Sequence, residues 1–305
     1  MISLFIKDSG VMQGSILERR EAMAAASIGA VAPPGVTTES ATLGGRPAEW
    51  LVPTGADGAP VARDAAVLYF HGGGYCMGSL DSHRDLVGRI ALASGVPVVS
   101  LDYRMAPEHP FPAAIDDALA AYTELLEMGI GADRLGVAGD SAGGGLTVAT
   151  LLSIRDTGLP IPAAAVCLSP WVDLTQTSPS CRDESLSDPV LRTADLDLLA
   201  AAYLASTEPT NPLASPLFAD DFTGMPPTRI EAGEDEPLLD DAASLAGRIG
   251  AAGAVVDLVI WPEMVHVFQV FPAEIVPEAA ESVTGIGDFL STHLLMDRRA
   301  KSGMN

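Results

Sequence analysis

The sequence predicts an α/β protein: a mostly parallel central sheet flanked by helices, with a small helical cap. Three observations carry that expectation. Between Ala65 and Trp261, short β-rich apolar runs alternate with longer helix-like segments, the rhythm of strand–helix–strand units. The runs are nearly continuous in apolar residues, as strands buried on both faces must be. The chain has 305 residues, 48% of them hydrophobic, enough for one large domain with a substantial core and a lid.

Taken in order, the first 35 residues hold the Ala-rich, helix-like stretch GSILERREAMAAASIGA and then the turn-forming PPG. Predicted strands follow at 65–70 (AAVLYF), 96–102 (VPVVSLD), 134–139 (RLGVAG), 163–169 (AAAVCLS), 228–233 (TRIEAG) and 254–261 (AVVDLVIW). The predicted helices lie at 83–94, 113–129, 142–157, 239–252 and 273–295. Residues from about 175 to 225 break the alternation with polar TQTSPSCRDESLSD, helical DLDLLAAAYLA and the Pro- and Asn-bearing EPTNPLASPLF. Together with residues 1–35 this insertion reads as a cap over one end of the sheet, within a single domain spanning 1–305. The polar tail MDRRAKSGMN reads as a frayed end.

Composition excludes several classes of function. Against 17 basic residues stand 40 acidic ones, a formal charge of −23, which repels phosphate backbones and anionic lipid. Neither nucleic acid nor membrane is an expected partner. No apolar run reaches the roughly 18 to 20 residues of a membrane-spanning helix. The opening MISLFIKDSG meets Lys7 and Asp8 before a signal sequence develops, so a cytoplasmic protein is expected. Cys76, Cys167 and Cys181 are odd in number and widely spaced, which fits free thiols rather than a disulfide framework or a zinc site.

The chemistry concentrates at strand ends. In GDSAGGG, Ser141 directly follows a predicted strand and directly precedes a predicted helix. At a sharp strand-to-helix turn the backbones approach closely, so positions 139 and 143 must lack bulk, and both are glycine. Such a turn exposes the hydroxyl at the mouth of the sheet and aims the positive end of the helix at a developing oxyanion. HGGGYCMGS begins at His71, at the end of the first core strand; its three glycines leave backbone amides unobstructed to converge on negative charge. A phosphate cradle needs a Lys-Ser/Thr ending or G-x-G-x-x-G spacing, and neither is present.

A serine hydroxyl needs an imidazole to accept its proton and a carboxylate to orient that imidazole. If the chain order is serine, acid, histidine, only His266 and His293 qualify. His293 lies late in the terminal amphipathic helix, whereas His266 follows the last strand in WPEMVHVFQVF. The acid should follow the preceding strand, in AGEDEPLLDD. Asp240 and Asp241 suit the N-terminus of the next helix, which leaves Glu234, Asp235 and Glu236.

HGGG, GDSAGG and YRMAPEHPFPAA (103–114), in that order, resemble the hormone-sensitive-lipase family of bacterial carboxylesterases, a branch of the α/β-hydrolase fold. The resemblance runs from about Val67 to Phe271. It implies an oxyanion hole formed by the amides of Gly73, Gly74 and Ala142, and a triad of Ser141, an acid and His266. In the family the acid usually precedes a Pro-Leu pair; that place holds Glu236, one methylene longer than the common aspartate, so the resemblance implies Glu236 as the triad acid, with its neighbour Asp235 as the alternative. Asp102, Tyr103, Arg104 and Glu108 resemble a structural hallmark that braces the site, and His109 is read as structural with them.

The implied reaction is ester hydrolysis through an acyl-enzyme, requiring no metal and no organic cofactor, on a small-molecule ester. The cap's Ala, Leu and small polar residues point to short or medium acyl chains. Amide cleavage, lactone opening and acyl transfer use the same triad, because specificity lies in lid and pocket. A non-catalytic receptor on this fold would have lost the histidine. The resemblance also admits a homodimer through an edge strand.

Overall fold

In the computed structural model the described residues are 14–183, 185, 186 and 188–295; the expected frayed tail at 296–305 lies outside them. Ser15 opens helix α1 (Ile16–Ala26), its hydroxyl accepting the Glu18 amide while the Glu18 carboxylate accepts the Ser15 amide. The chain then forms an antiparallel hairpin, β1 (Val36–Leu43) and β2 (Arg46–Pro53), which the sequence pattern does not predict. The reason is position. β1 is an edge strand, VTTESATL, whose mostly exposed side chains carry no apolar signal, and polar edges discourage strand addition.

The six expected strands are all present, with ends displaced by at most two residues: β3 (Ala66–Phe70), β4 (Val98–Leu101), β5 (Leu135–Asp140), β6 (Ala164–Leu168), β7 (Thr228–Gly233) and β8 (Val256–Trp261). The helices are α2 (Leu80–Ser94), α3 (Ala113–Glu127), α4 (Ala142–Asp156), α5 (Thr193–Leu204), α6 (Leu239–Ala251) and α7 (Pro277–Leu294). The sheet order is β1-β2-β4-β3-β5-β6-β7-β8, parallel from β4 to β8. Because the chain steps from β3 outward to β4 and then back past β3 to β5, the order reverses between β3 and β5. Crevices at the carboxyl ends of such strands are where open α/β sheets bind ligands.

Successive residues of β3 face opposite layers. Val67 and Tyr69 pack with Leu86, Val87 and Ile90 of α2 and with Ile286 and Leu290 of α7. Leu68 and Phe70 pack with Ile115 and Ala118 of α3 and with Leu146 of α4. Burial on both faces explains the unbroken apolar composition of the central strands. No helix among the described residues is long and apolar enough to cross a membrane.

Asp240 and Asp241 lie in the first turn of α6, and both carboxylates also hold the chain beyond β6. Asp240 accepts the Ser180 amide at 2.7 Å; Asp241, 1% exposed, accepts the amides of Val172 and Asp173 at 3.2 and 3.0 Å. Burial, with the charge of Asp173 second, pushes the Asp241 carboxyl up to about 7. An acid raised in the folded state contributes stability that is present below its ordinary value of 3.8 and is lost as pH climbs through about 7. Asp241→Asn keeps an acceptor for the two amides and removes the buried charge. Its melting temperature is therefore expected to match wild type near pH 4 and to exceed it by about 2 °C at pH 8. Thermal unfolding across that range checks this; a deficit that widens with pH contradicts it.

Candidate active site

Ser141 sits between β5 and α4 with φ 53° and ψ −120°, an uncommon conformation for a residue bearing a side chain. Its amide donates to the Leu168 carbonyl at 2.8 Å, and its carbonyl accepts the amides of Gly145 and Trp171, each at 3.0 Å. A Cβ on Gly143 would collide with the Phe70 carbonyl oxygen, so the close approach inferred from the sequence is a property of the turn.

Four strand ends converge here. β8 leads to His266, whose Nε2 lies 2.9 Å from Ser141 Oγ. β7 leads to Glu236, whose Oε1 lies 3.5 Å from His266 Nδ1. Neither of those two atoms has another hydrogen-bond partner among the described residues. At 3.5 Å the pair is longer than a formed hydrogen bond, a separation typical of catalytic pairs before substrate tightens them. β6 leads to Ser169, whose hydroxyl donates to Glu236 Oε2 at 2.7 Å beside the Gly233 amide at 2.9 Å. Glu236 is fully buried, whereas Glu234 and Asp235 are exposed. Burial pushes the His266 imidazole down, but Glu236 first, then Asp188 and Asp140, more than offset it, and the net displacement is upward.

β3 delivers the glycine loop. Gly73 and Gly74 have φ of 112° and 61°, and a Cβ on Gly74 would strike the Leu199 side chain. The amides of Gly73, Gly74 and Ala142 take no acceptor from the described residues, and both glycines line the cavity in front of Ser141. Asp140 fixes this loop from behind: Oδ1 accepts the Gly72 amide at 3.0 Å and the Tyr69 hydroxyl at 2.7 Å, and Oδ2 lies 3.3 Å from His83 Nε2. Burial pushes the Asp140 carboxyl up, but His83 and Tyr69 outweigh it and hold it below its ordinary value. Tyr103 stacks on the His71 ring at 4.4 Å and donates its hydroxyl to the His71 carbonyl at 2.7 Å. Arg104 forks onto Asp117, and Glu108 pairs with Arg20 of α1; His109 is exposed and His293 lies on α7.

The cavity holds about 300 Å³. Met77, Trp171, Val267 and Phe271 line it from the sheet side; Met23 and Ala26 of α1, Val190, Leu191, and Leu196 and Leu199 of α5 line it from the two regions outside the sheet alternation. Sequence reasoning did not single out Ser169, His83 and Asp188, which contact Glu236, Asp140 and the His266 amide and carry no motif of their own.

A family model described as the alpha/beta hydrolase fold matches residues 67–270. An acetyl-hydrolase of Streptomyces hygroscopicus is 45% identical over 260 residues, 85% of this chain and 83% of that protein. A crystal structure of an esterase from the bacterial hormone-sensitive lipase family superposes with a TM-score of 0.87 at 41% identity, covering 94% of this chain and 96% of that one. The chain belongs to the hormone-sensitive-lipase family of carboxylesterases. A carboxylesterase of Mycobacterium tuberculosis in the same comparison is 37% identical over 238 residues, 75% of this chain and 74% of that protein. For a hormone-sensitive-lipase-family esterase the reaction is carboxylic ester hydrolysis, and the strand ends described above are where its chemistry is to be sought.

Proposed function

We propose that Ser141, His266 and Glu236 hydrolyse a small neutral ester by two-step acyl transfer. The observation that carries this reading is the 2.9 Å contact between Ser141 Oγ and His266 Nε2, placed before the free amides of Gly73, Gly74 and Ala142. With its proton on Nδ1 toward Glu236, the imidazole presents a lone pair at Nε2. That nitrogen takes the hydroxyl proton as Oγ bonds to the ester carbonyl carbon, and the displaced π electrons become an oxyanion held by the three amides. His266 then returns the proton to the leaving alkoxide, the carbon–oxygen bond breaks, and alcohol departs. A water molecule, deprotonated by the same nitrogen, attacks the acyl-serine and releases the acid. Glu236 keeps the ring in this tautomer and stabilises the imidazolium.

α1 and the segment around α5 act as the cap, closing a pocket with apolar walls. At about 300 Å³ the cavity stands at the lower end of the roughly 300–1,000 Å³ typical of ligand sites, which supports short to medium acyl chains. The acetyl-hydrolase relative points the same way. Buried free thiols at Cys76, Cys167 and Cys181 support a cytoplasmic enzyme. Hydrolysis of p-nitrophenyl esters from acetate to palmitate tests the pocket: rates should peak at short chains and fall steeply by the long ones. A jump in rate on emulsified long-chain triglyceride rejects it.

A further inference from the structure

We infer that Asp188, from the segment between β6 and β7, is a positioning residue for His266, tying the backbone of the histidine loop to the wall of the substrate cavity and placing a second negative charge near the imidazole. The inference rests on the acyl-transfer reading above.

Asp188 is 7% exposed, and its carboxylate has three amide partners on two sides. Oδ2 accepts the amide of His266 at 2.8 Å. Oδ1 accepts the amides of Val190 and Leu191 at 2.7 and 3.3 Å, and both of these residues line the cavity. One side chain therefore sets the pocket wall and the height of the histidine at once.

The histidine loop needs such restraint. Val267, the next residue, has φ 46°, and Glu263 has φ 60°. A β-branched residue in the left-handed region persists only where its surroundings hold it there. Two consecutive amides supply the hold: His266 N–H to Asp188, and Val267 N–H to the Ser169 hydroxyl at 3.1 Å. Since Ser169 also donates to Glu236, the loop is pinned to the triad acid on one side and to the cap on the other.

The charged groups around the imidazole are Glu236 from the β7–α6 loop, Asp188 from the cap segment and Asp140 at the end of β5, all acidic. They favour the imidazolium that forms when Ser141 loses its proton. Burial pushes the Asp188 carboxyl up to about 6, with the charge of His266 and the amides of His266 and Val190 opposing the rise. Its three amide donors favour the ionised carboxylate against that burial.

The test compares wild type with Asp188→Asn, Asp188→Ser and Asp188→Glu, each first checked for native near-ultraviolet circular dichroism, by the pH profile of kcat/KM on p-nitrophenyl butyrate. The acid limb reports the imidazole pKa, because only the neutral ring accepts the serine proton. Loss of a nearby negative charge makes the ring easier to deprotonate, so in the two neutral variants that limb should move to lower pH by about half a unit. Their kcat should fall about tenfold as the loop loses its tether. Asp188→Glu should keep the limb at its wild-type position even where kcat falls. A folded neutral variant with an unmoved limb overturns the inference, since a purely structural role predicts loss of activity without displacement. Should neither neutral variant fold, a displaced limb in Asp188→Glu overturns it instead. Activity surviving in Ser141→Ala marks failure of the acyl-transfer reading, independently of Asp188.

Discussion

Ser141→Ala is expected to lower kcat on p-nitrophenyl butyrate by roughly 10,000-fold or more while the protein stays folded. On the proposed mechanism the loss follows from removing the atom that would form the acyl bond, Oγ, which lies 2.9 Å from His266 Nε2. Folding should survive because the turn is held by backbone bonds to Leu168, Gly145 and Trp171 that alanine retains. His266→Ala should cost about as much as Ser141→Ala, and the double variant about as much as either single one. Nucleophile and base act as a unit, so deleting the second has little left to remove. Steady-state kinetics on the three proteins, beside their circular dichroism, check this. A residual rate in Ser141→Ala above about one hundredth of wild type would sink the assignment.

Glu236→Gln should reduce kcat by roughly 1,000- to 10,000-fold, with Asp235→Asn within about twofold of wild type. Geometry decides between the neighbours. Glu236 is buried with Oε2 anchored by the Ser169 hydroxyl and the Gly233 amide, leaving Oε1 toward His266 Nδ1; Asp235 is exposed. In Glu236→Gln the amide oxygen keeps the two anchoring donors, which turns the NH₂ group toward Nδ1. That forces the ring proton onto Nε2, the nitrogen that must accept from serine. The pH profile gives a second reading. Among the groups that raise the His266 imidazole Glu236 comes first, so the acid limb of kcat/KM should move to lower pH in Glu236→Gln and stay in place in Asp235→Asn. Collapse of Asp235→Asn alone reverses the assignment.

Much of this site is legible in the chain because its chemistry follows the ends of apolar strands. Gly139 and Gly143 flank Ser141 for a local steric reason, and the triple glycine after His71 is readable because residues without a Cβ leave their backbone amides unobstructed. His266 could be separated from His293 because one follows a strand and the other lies on the terminal helix. The hairpin at 36–53 was not legible: the exposed edge strand has no apolar alternation to reveal it.

The amino-acid order by itself determined the layered α/β architecture, the serine turn, the glycine loop and the histidine, since each depends on residues a few positions apart whose steric and hydrophobic demands are local. The resemblance pointed to Glu236 among three neighbouring carboxylates, but only the tertiary structure shows that this one turns inward while Glu234 and Asp235 stay exposed, and that Asp188 reaches the histidine loop. Successive loop residues point in directions fixed by packing, and the partners meet across long separations: Ser169 with Glu236, 67 residues apart, and Asp188 with His266, 78 apart. No local pattern encodes such meetings, because they arise when burial brings distant strand ends and the segment between β6 and β7 into one desolvated space.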